Sequence, residues 1–287
     1  LCTLGWIAIG FALFWRLLDT RVEPAGSLRR YLMPPLMLFL MIAYPGTEFA
    51  QREQLMIVAA LPYLLLAEAR MTGTSVPRRL MIATALFAGF GYALKPHFLL
   101  IPVLVEACVL TAVGWRRLVR DPVPWLMVLL FALYALFIVA VTPRYLDSVV
   151  PLAMNQYLTL GGLGAWGVLL KSQLNATAIL FVPLAAAALV VARPLAKLAA
   201  VASIAGIVIA MVQAKGWPYH LLPAETFVVL LAAILLCDLG EAQLPATDPR
   251  RGAAKILLLA SFMLGAYYVS GLTRPTFLRH AGFDQSQ

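Results

Sequence analysis

The chain has 287 residues, 62% of them hydrophobic and only 12% charged, with a formal net charge of +9. A soluble domain carries about 25% charged residues, so the composition excludes an ordinary soluble globular domain and points to an integral membrane protein. In a soluble chain the basic excess would suggest nucleic acid. Here the cations lie in short loops grouped by side, which makes them a topology signal with no nucleic-acid partner implied.

An apolar stretch of about 20 residues crosses a bilayer, and thinning or snorkelling accommodates shorter ones. On that rule the sequence predicts a single all-α domain over 1–287, a polytopic transmembrane bundle of about ten helices. They fall near 1–18, 31–45, 54–69, 80–94, 98–114, 124–142, 175–192, 198–213, 221–237 and 256–272. No charged n-region precedes the first, which makes it a poor signal peptide, and a further segment is expected upstream of Leu1. Pro34 and Pro35 are placed in the first turns of the second helix, where proline is tolerated. Pro96 divides the fourth from the fifth, as a tight hairpin or a broken pair.

The loops alternate in charge. One set carries Arg21, Arg29 and Arg30, then Arg70, Arg78 and Arg79, then Arg116, Arg117 and Arg120, then Arg193 and Lys197, then Arg250, Arg251 and Lys255. The other carries Arg52, Lys95, Arg144, Lys171, Lys215, Arg274 and Arg279. Fourteen of the 22 Lys and Arg against seven places the rich loops in the cytoplasm and the poor ones outside. The loop 143–174 exceeds the roughly fifteen residues beyond which a loop is usually functional. Its glycine-rich, apolar middle predicts a segment lying in or dipping into the interface.

The polar residues of the outer loops are the candidates for function. Gln213-Ala-Lys-Gly-Trp-Pro-Tyr-His-Leu-Leu-Pro223 sets Lys215, Trp217, Tyr219 and His220 between apolar runs. Trp217 and Tyr219 alone would suit an interfacial belt. Gly216 and Pro218, however, predict a fixed non-helical backbone, tolerated at this depth where it lines a cavity. Lys95-Pro96-His97 sets a cation and an imidazole at a helix break, either to meet an anion or for Lys95 to snorkel. Glu48 with Arg52, and Arg144 with Asp147, have the spacing of helix-surface ion pairs. Glu53 and Lys171 share the same side. Glu106, mid-span, is a functional candidate or a buried hydrogen-bonding group. Cys2, Cys108 and Cys237 lie in apolar runs, with neither metal spacing nor a disulfide framework.

Cations with a few carboxylates at the mouth of a helical bundle suit an amphipathic phosphate. Its tail would lie between helices, and its phosphate would meet Arg52, Lys95, His97, Arg144 and Lys215 beside Tyr219 and Trp217. A carboxylate such as Glu48 or Asp147 would take a proton from an incoming hydroxyl as the cations stabilise the departing phosphate, with His220 a further catalytic candidate. That chemistry is sugar transfer from a lipid phosphate. No nucleotide motif is present and no cofactor is required, while a divalent metal stays compatible.

Gly91-Tyr-Ala-Leu-Lys-Pro-His97, where a helix ends in Lys-Pro before an apolar span, and Tyr219-His-Leu-Leu-Pro223, opening a late helix, carry a family resemblance. The chain resembles the GT-C superfamily of membrane glycosyltransferases, in particular the bacterial polyprenyl-phosphate-sugar-dependent mannosyl- and arabinosyltransferases. The resemblance implies a polyprenyl-phosphate-linked sugar as donor, a glycan or lipid as acceptor, and a bacterial inner membrane with the site facing the periplasm. It makes Lys95 and His220 the most transferable positions. The family's catalytic Asp lies in the first external loop, which this topology places upstream of Leu1; Glu48 or Asp147 are the substitutes within the chain. Two other classes remain open: a transporter or flippase of a lipid-linked solute, and a non-catalytic subunit of a membrane complex.

Overall fold

In hydrocarbon every backbone polar group must be satisfied within its own segment, and the chain meets that demand with helices. The computed structural model describes residues 1–20, 27–157, 162–240 and 251–265, and among them there is no strand. The long helices in chain order are α1 (Cys2–Asp19), α2 (Leu28–Leu38), α3 (Arg52–Thr72), α4 (Arg78–Ala93) and α5 (Leu100–Val113). After them come α6 (Pro122–Val141), α7 (Gly164–Lys171), α8 (Leu174–Val191), α9 (Pro194–Gln213), α10 (Pro218–Gly240) and α11 (251–265).

Seven of the ten expected segments are helices long and apolar enough to cross a membrane: α1, α3, Pro96–Val113, α6, α8, α9 and α10. The other three are helical where described, and two of them, 31–45 and 80–94, are shorter. Counting from Arg78, α4 has 16 residues, about 24 Å at 1.5 Å per residue, against a hydrocarbon core of about 30 Å. The expected span 256–272 is described only to residue 265. Gly161, Arg21, Arg250, Arg274 and Arg279 lie outside the described residues.

Two boundaries differ from expectation for reasons of proline chemistry. Helix α2 begins at Leu28, so Pro34 and Pro35 fall inside it and not in its first turn. Their missing N–H groups leave the carbonyls of Arg30 and Tyr31 without helical donors. The chain then widens into a π-turn, Phe39–Ala43, closed by Tyr44 N donating to Phe39 O at 2.8 Å. At the other break Lys95 is extended (φ −149°, ψ 139°), the conformation favoured before proline. Pro96 opens a 3-10 turn to Leu99. Helices α4 and α5 each pack on α3, so 80–114 is a broken pair.

Helix α3 is the axis of the bundle. Every residue from Met56 to Ala69 is buried, and α1, α4, α5, α9 and α10 all pack on it. Small residues let the neighbours close in, as is usual where lipid supplies no hydrophobic drive between helices. Gly91 of α4 leaves no room for a methyl beside Ala59, and Gly10 of α1 lies against Val58. Pro62 has no N–H for the Val58 carbonyl, and it is over this turn that Gly10 sits. Between α9 and α10 a Cβ on Gly206 would lie 2.7 Å from Ala224 N and 2.8 Å from Ala224 Cα.

The polar side chains gather at the two ends of this bundle. Glu53 and Glu68 open and close α3, fifteen residues and about 22 Å apart; His220 and Asp238 on α10 are separated by about 27 Å. At the Asp238 end Arg29 of α2 is buried, where it engages Asp238 of α10 and lies 3.5 Å from Glu68 of α3. Arg70 holds Glu106 of α5 through both guanidinium nitrogens, at 2.6 and 2.8 Å, and Asp121 through Nε at 2.6 Å. Tyr63 donates to the same Glu106 at 2.6 Å. Asp121 also accepts from Val123 N at 2.9 Å, capping α6. Arg29 and Arg70, expected as loop charges, are therefore structural ties between helices. Glu106 is the buried hydrogen-bonding group of the two readings open for it.

Removing one partner of a buried pair strands the other and costs about 3–5 kcal/mol. Arg70→Ala, which strands Glu106, is expected to lower the thermal unfolding midpoint of the detergent-solubilised protein far more than Arg79→Ala at an exposed position. Gly206→Val, which drives a side chain into the α10 backbone, is expected to destabilise by at least the 1–3 kcal/mol of an overpacked core. Equal midpoints for wild type and Gly206→Val would remove the close α9–α10 approach from the fold.

Candidate functional site

The opposite end is built by three interruptions of helix. The first is the Lys95–Pro96 break. The second is the start of α3, where Ala50 (φ 69°) turns the chain before Arg52. Gln54, fully buried, accepts from Ala50 N at 2.5 Å and donates to Met41 O at 2.7 Å, binding the π-turn of 39–43 to α3. The third lies between α9 and α10, where Ala214 and Gly216 both take left-handed conformations (φ 57° and 66°) and Pro218 restarts the helix. A Cβ on Gly216 would also lie 2.9 Å from Leu163 Cδ1. The left-handed φ favours glycine at this position, and the expected non-helical backbone at 214–217 is present.

These interruptions bring Lys95, Lys215, His97, His220, Trp217 and Tyr219 together. The Lys95 ammonium is buried, forms an ion pair with Glu53, and donates to Gln213 Oε1 at 3.3 Å. It also sits 5.5 Å from the Tyr219 ring centroid and 5.8 Å from that of Phe98. His220 is fully buried, with Tyr219 edge-on at 4.3 Å and Trp217 at 5.3 Å between centroids. Lys215 is only 4% exposed, and its ammonium lies beside Gly162. The charges acting on His220 are those of Lys95, His97, Lys215 and the exposed Arg52. His97 is half-buried, and its Nε2 has no hydrogen-bond partner. Burial pushes the Lys95 ammonium below its ordinary pKa; the hydrogen bond and charge of Glu53 oppose that shift.

Among the described residues the charges of Lys95, Lys215 and Arg52 act on the buried His220, with His97 beside them. Charge at this depth is expensive unless met by a partner, and Glu53 meets that of Lys95; Glu225 stands on α10 five residues beyond His220.

The remaining candidates stand further out. Glu48 is half-buried in the 3-10 turn Gly46–Glu48, within 3.4 Å of Thr47 Oγ1. Arg144 and Asp147 are exposed, flanking and within the π-turn Tyr145–Val149. Lys171 is exposed at the end of α7. Among the described residues neither Glu48–Arg52 nor Arg144–Asp147 forms an ion pair. The segment after Arg144 still reaches the site. Tyr145, Val149, Val150, Ala153 and Met154 close a cavity of about 440 Å³ against Pro96 and His97. The glycine-rich stretch expected at the interface becomes α7 over Gly164–Lys171. It is mostly exposed, anchored by buried Val168 against α9 and α10, with Leu163 N donating to Ala214 O at 2.9 Å.

Glu53, Gln54 and Gln213 carry more of the site than the sequence suggested. A carboxylate in the first turn of a helix buried all round has nowhere to point but inward, and that signal was available for Glu53. Nothing in the sequence singled out Gln213, which reaches Lys95 from 118 positions away. Among the described residues no group of three or more His, Cys, Asp or Glu side chains could hold a metal.

Comparisons with protein-family models, with curated proteins and with solved structures found no match. The site is therefore interpreted from its own geometry.

If Glu53 compensates Lys95, Glu53→Gln strands a buried ammonium, at a cost of about 3–5 kcal/mol. The double substitution Glu53→Gln with Lys95→Met removes the charge as well and is expected to recover most of that loss. A double-mutant cycle by thermal unfolding in detergent measures the coupling; additive effects would mean that the pair is not an energetic unit.

Proposed function

We propose that this chain is a GT-C-like membrane glycosyltransferase. It takes a sugar from a polyprenyl-phosphate donor and passes it to a glycan or lipid acceptor at the periplasmic face of a bacterial inner membrane. The observation that carries the reading is the gathering of two buried lysines, Lys95 and Lys215, with two imidazoles, His97 and His220, at one end of an apolar bundle, where Glu53 engages Lys95. A lipid phosphate suits such a place, its headgroup meeting these donors and its tail the surrounding apolar helices. Placement outside is supported by the sequence pattern, in which the loops grouped with Arg29 and Arg70 hold fourteen of the Lys and Arg and those grouped with Lys95 and Lys215 hold seven.

The donor phosphate sits between Lys95 and Lys215, with Arg52 at the mouth and the Trp217 and Tyr219 rings beside the sugar. An acceptor hydroxyl oxygen attacks the anomeric carbon, its bond forming as the bond from that carbon to the phosphate oxygen breaks. The hydroxyl proton passes to an imidazole, for which His220 is the candidate, and the phosphate leaves with the bonding electrons. Lys95 and Lys215 hold the charge that develops on it; preorganised donors of this kind are worth about 10²–10³ in rate. Glu53 holds Lys95 in place and is not the base. Glu48 and Asp147 remain candidates for that role only if the segments bearing them move inward when donor binds.

One observation favours a second reading. The carboxylate at the centre of the cluster is already engaged by Lys95, which suits a subunit that binds the carrier lipid without performing transfer.

The purified chain in nanodiscs, given a radiolabelled polyprenyl-phosphate sugar and an acceptor-bearing membrane extract, separates the two. Transfer that falls by about 10² or more in His220→Ala, Lys95→Gln and Lys215→Gln, with unchanged elution and unfolding profiles, supports the enzyme. Carrier binding weakened by the lysine substitutions, with no sugar released by wild type, selects the binding subunit. Wild-type binding and transfer that survive all three changes would sink both.

A further inference from the structure

The end of the bundle away from Lys95 carries a second charged feature, one that the ties made by Arg29 and Arg70 do not use. Helix α1 runs alongside α3 in the same direction: Trp6 Nε1 donates to Leu55 O at 2.8 Å, and Gly10 lies against Val58. The last turn of α1, which holds Arg16, therefore reaches the level where α3 ends and α4 begins. Helices α1 and α4 touch nearer the Lys95 end, where the Trp6 and Phe87 ring centroids are 4.2 Å apart. Beyond that contact they leave a cleft of about 630 Å³. Trp15, Arg16 and Asp19 wall it on α1, and Pro77, Arg79 and Leu80 wall it at the start of α4.

Two guanidiniums on different helices thus line one cleft. Among the described residues neither Arg16 nor Arg79 forms an ion pair, while Asp19 is met by Arg30 at 3.7 Å. A guanidinium offers a phosphate two parallel hydrogen bonds, so a pair of them suits an anion with several oxygens. The surroundings indicate what carries that anion. Helix α1 is long and apolar enough to cross a membrane, which puts its last turn at the edge of the hydrocarbon. Trp15, 44% exposed, is the kind of ring that settles at that edge. Leu4, Ala8, Ala12 and Trp15 are all exposed and lie on one stripe of the helix, at steps of four, four and three. That apolar stripe ends at Trp15, which is itself a wall of the cleft.

We propose that the α1–α4 cleft binds the headgroup of an anionic phospholipid, with Arg16 and Arg79 on its phosphate and its acyl chains along the exposed stripe of α1. Basic clefts between membrane helices hold acidic headgroups through the same combination of charge and apolar wall. The site is separate from the Lys95 cluster and does not rest on the reading of that cluster as catalytic. A smaller cleft of about 360 Å³ beside Arg70 differs in kind. There Arg70 is already held by Glu106 and Asp121, and the other two arginines, Arg117 and Arg120, sit on one exposed connection.

The test is native mass spectrometry of the full chain in lipid-free detergent, titrated with dioctanoyl phosphatidylglycerol or dioctanoyl phosphatidylcholine. Wild type is expected to bind a first phosphatidylglycerol about tenfold or more tighter than phosphatidylcholine. Arg16→Gln and Arg79→Gln should each weaken phosphatidylglycerol roughly fivefold, leave phosphatidylcholine unchanged, and together erase the preference. Asp19→Asn, which removes a carboxylate from the cleft, should tighten phosphatidylglycerol, a gain that no loss of folding can mimic.

Arg117→Gln combined with Arg120→Gln should leave the preference intact. An equal loss in that variant would assign it to the diffuse charge of this face and overturn the proposal. A wild type that binds both lipids alike would overturn it as well. Complete displacement of the phosphatidylglycerol by millimolar inorganic phosphate would make the cleft a free-anion site and overturn the lipid assignment.

Discussion

A charge enclosed by apolar helices must find a partner, and the pairing of Lys95 with Glu53 is the place where this fold depends on that rule. Pro96 prevents α4 from continuing and turns Lys95 into an extended conformation beside the first turn of α3. Glu53 is there because α3 starts at Arg52 and buries everything after it. Gln213, the last residue of α9, completes the contact. Three helix ends are thereby held at one point, and the backbone breaks that such ends create are tolerated because they line a polar site. Were Lys95 to snorkel outward instead, Glu53 would be left alone at 1% exposure.

The same physics operates with different proportions at the two ends of the bundle. At the far end, among the described residues, Arg29 meets Glu68 and Asp238, and Arg70 meets Glu106 and Asp121. Each guanidinium there is shared by two carboxylates on different elements. Its fixed fork of donors suits it to bind several oxygens at once. The result is a set of ties between α2, α3, α5, α6 and α10. At the Lys95 end, among the described residues, one ammonium takes the place of the guanidinium, meeting the carboxylate of Glu53 and the amide of Gln213 beside two imidazoles.

Close packing makes these ends commensurate. Gly10, Gly91 and Gly206 allow α1, α4 and α10 to approach their neighbours at backbone distance, so the length of α3 sets the spacing between the two polar layers. Helices α4 and α6 are the exception. Beyond the contact of Gly89 with Met127 their large side chains hold the helices apart and leave an apolar groove. The positions that keep most of the bundle solid and the positions that leave it open thus lie on the same helix.

The sequence alone determined that the chain is helical and membrane-spanning, because hydrophobic runs of that length have no other means of satisfying their backbone in lipid. It located the breaks at Pro96, Gly216 and Pro218, since those residues act through their own φ angles and missing donors. It also identified Lys95, Lys215 and His220 as polar groups out of place. Pairing lay beyond it. Arg29 and Arg70 look like loop charges in one dimension, and only packing shows them enclosed by carboxylates from helices up to 209 positions away. Glu48 with Arg52 and Arg144 with Asp147 have the right spacing for ion pairs, yet Glu48 lies in a 3-10 turn and Asp147 in a π-turn, off the α-helical register that such spacing presumes. Local chemistry is written residue by residue, whereas the partner of a buried charge is chosen by whichever helices pack against it, and that choice was made only in three dimensions.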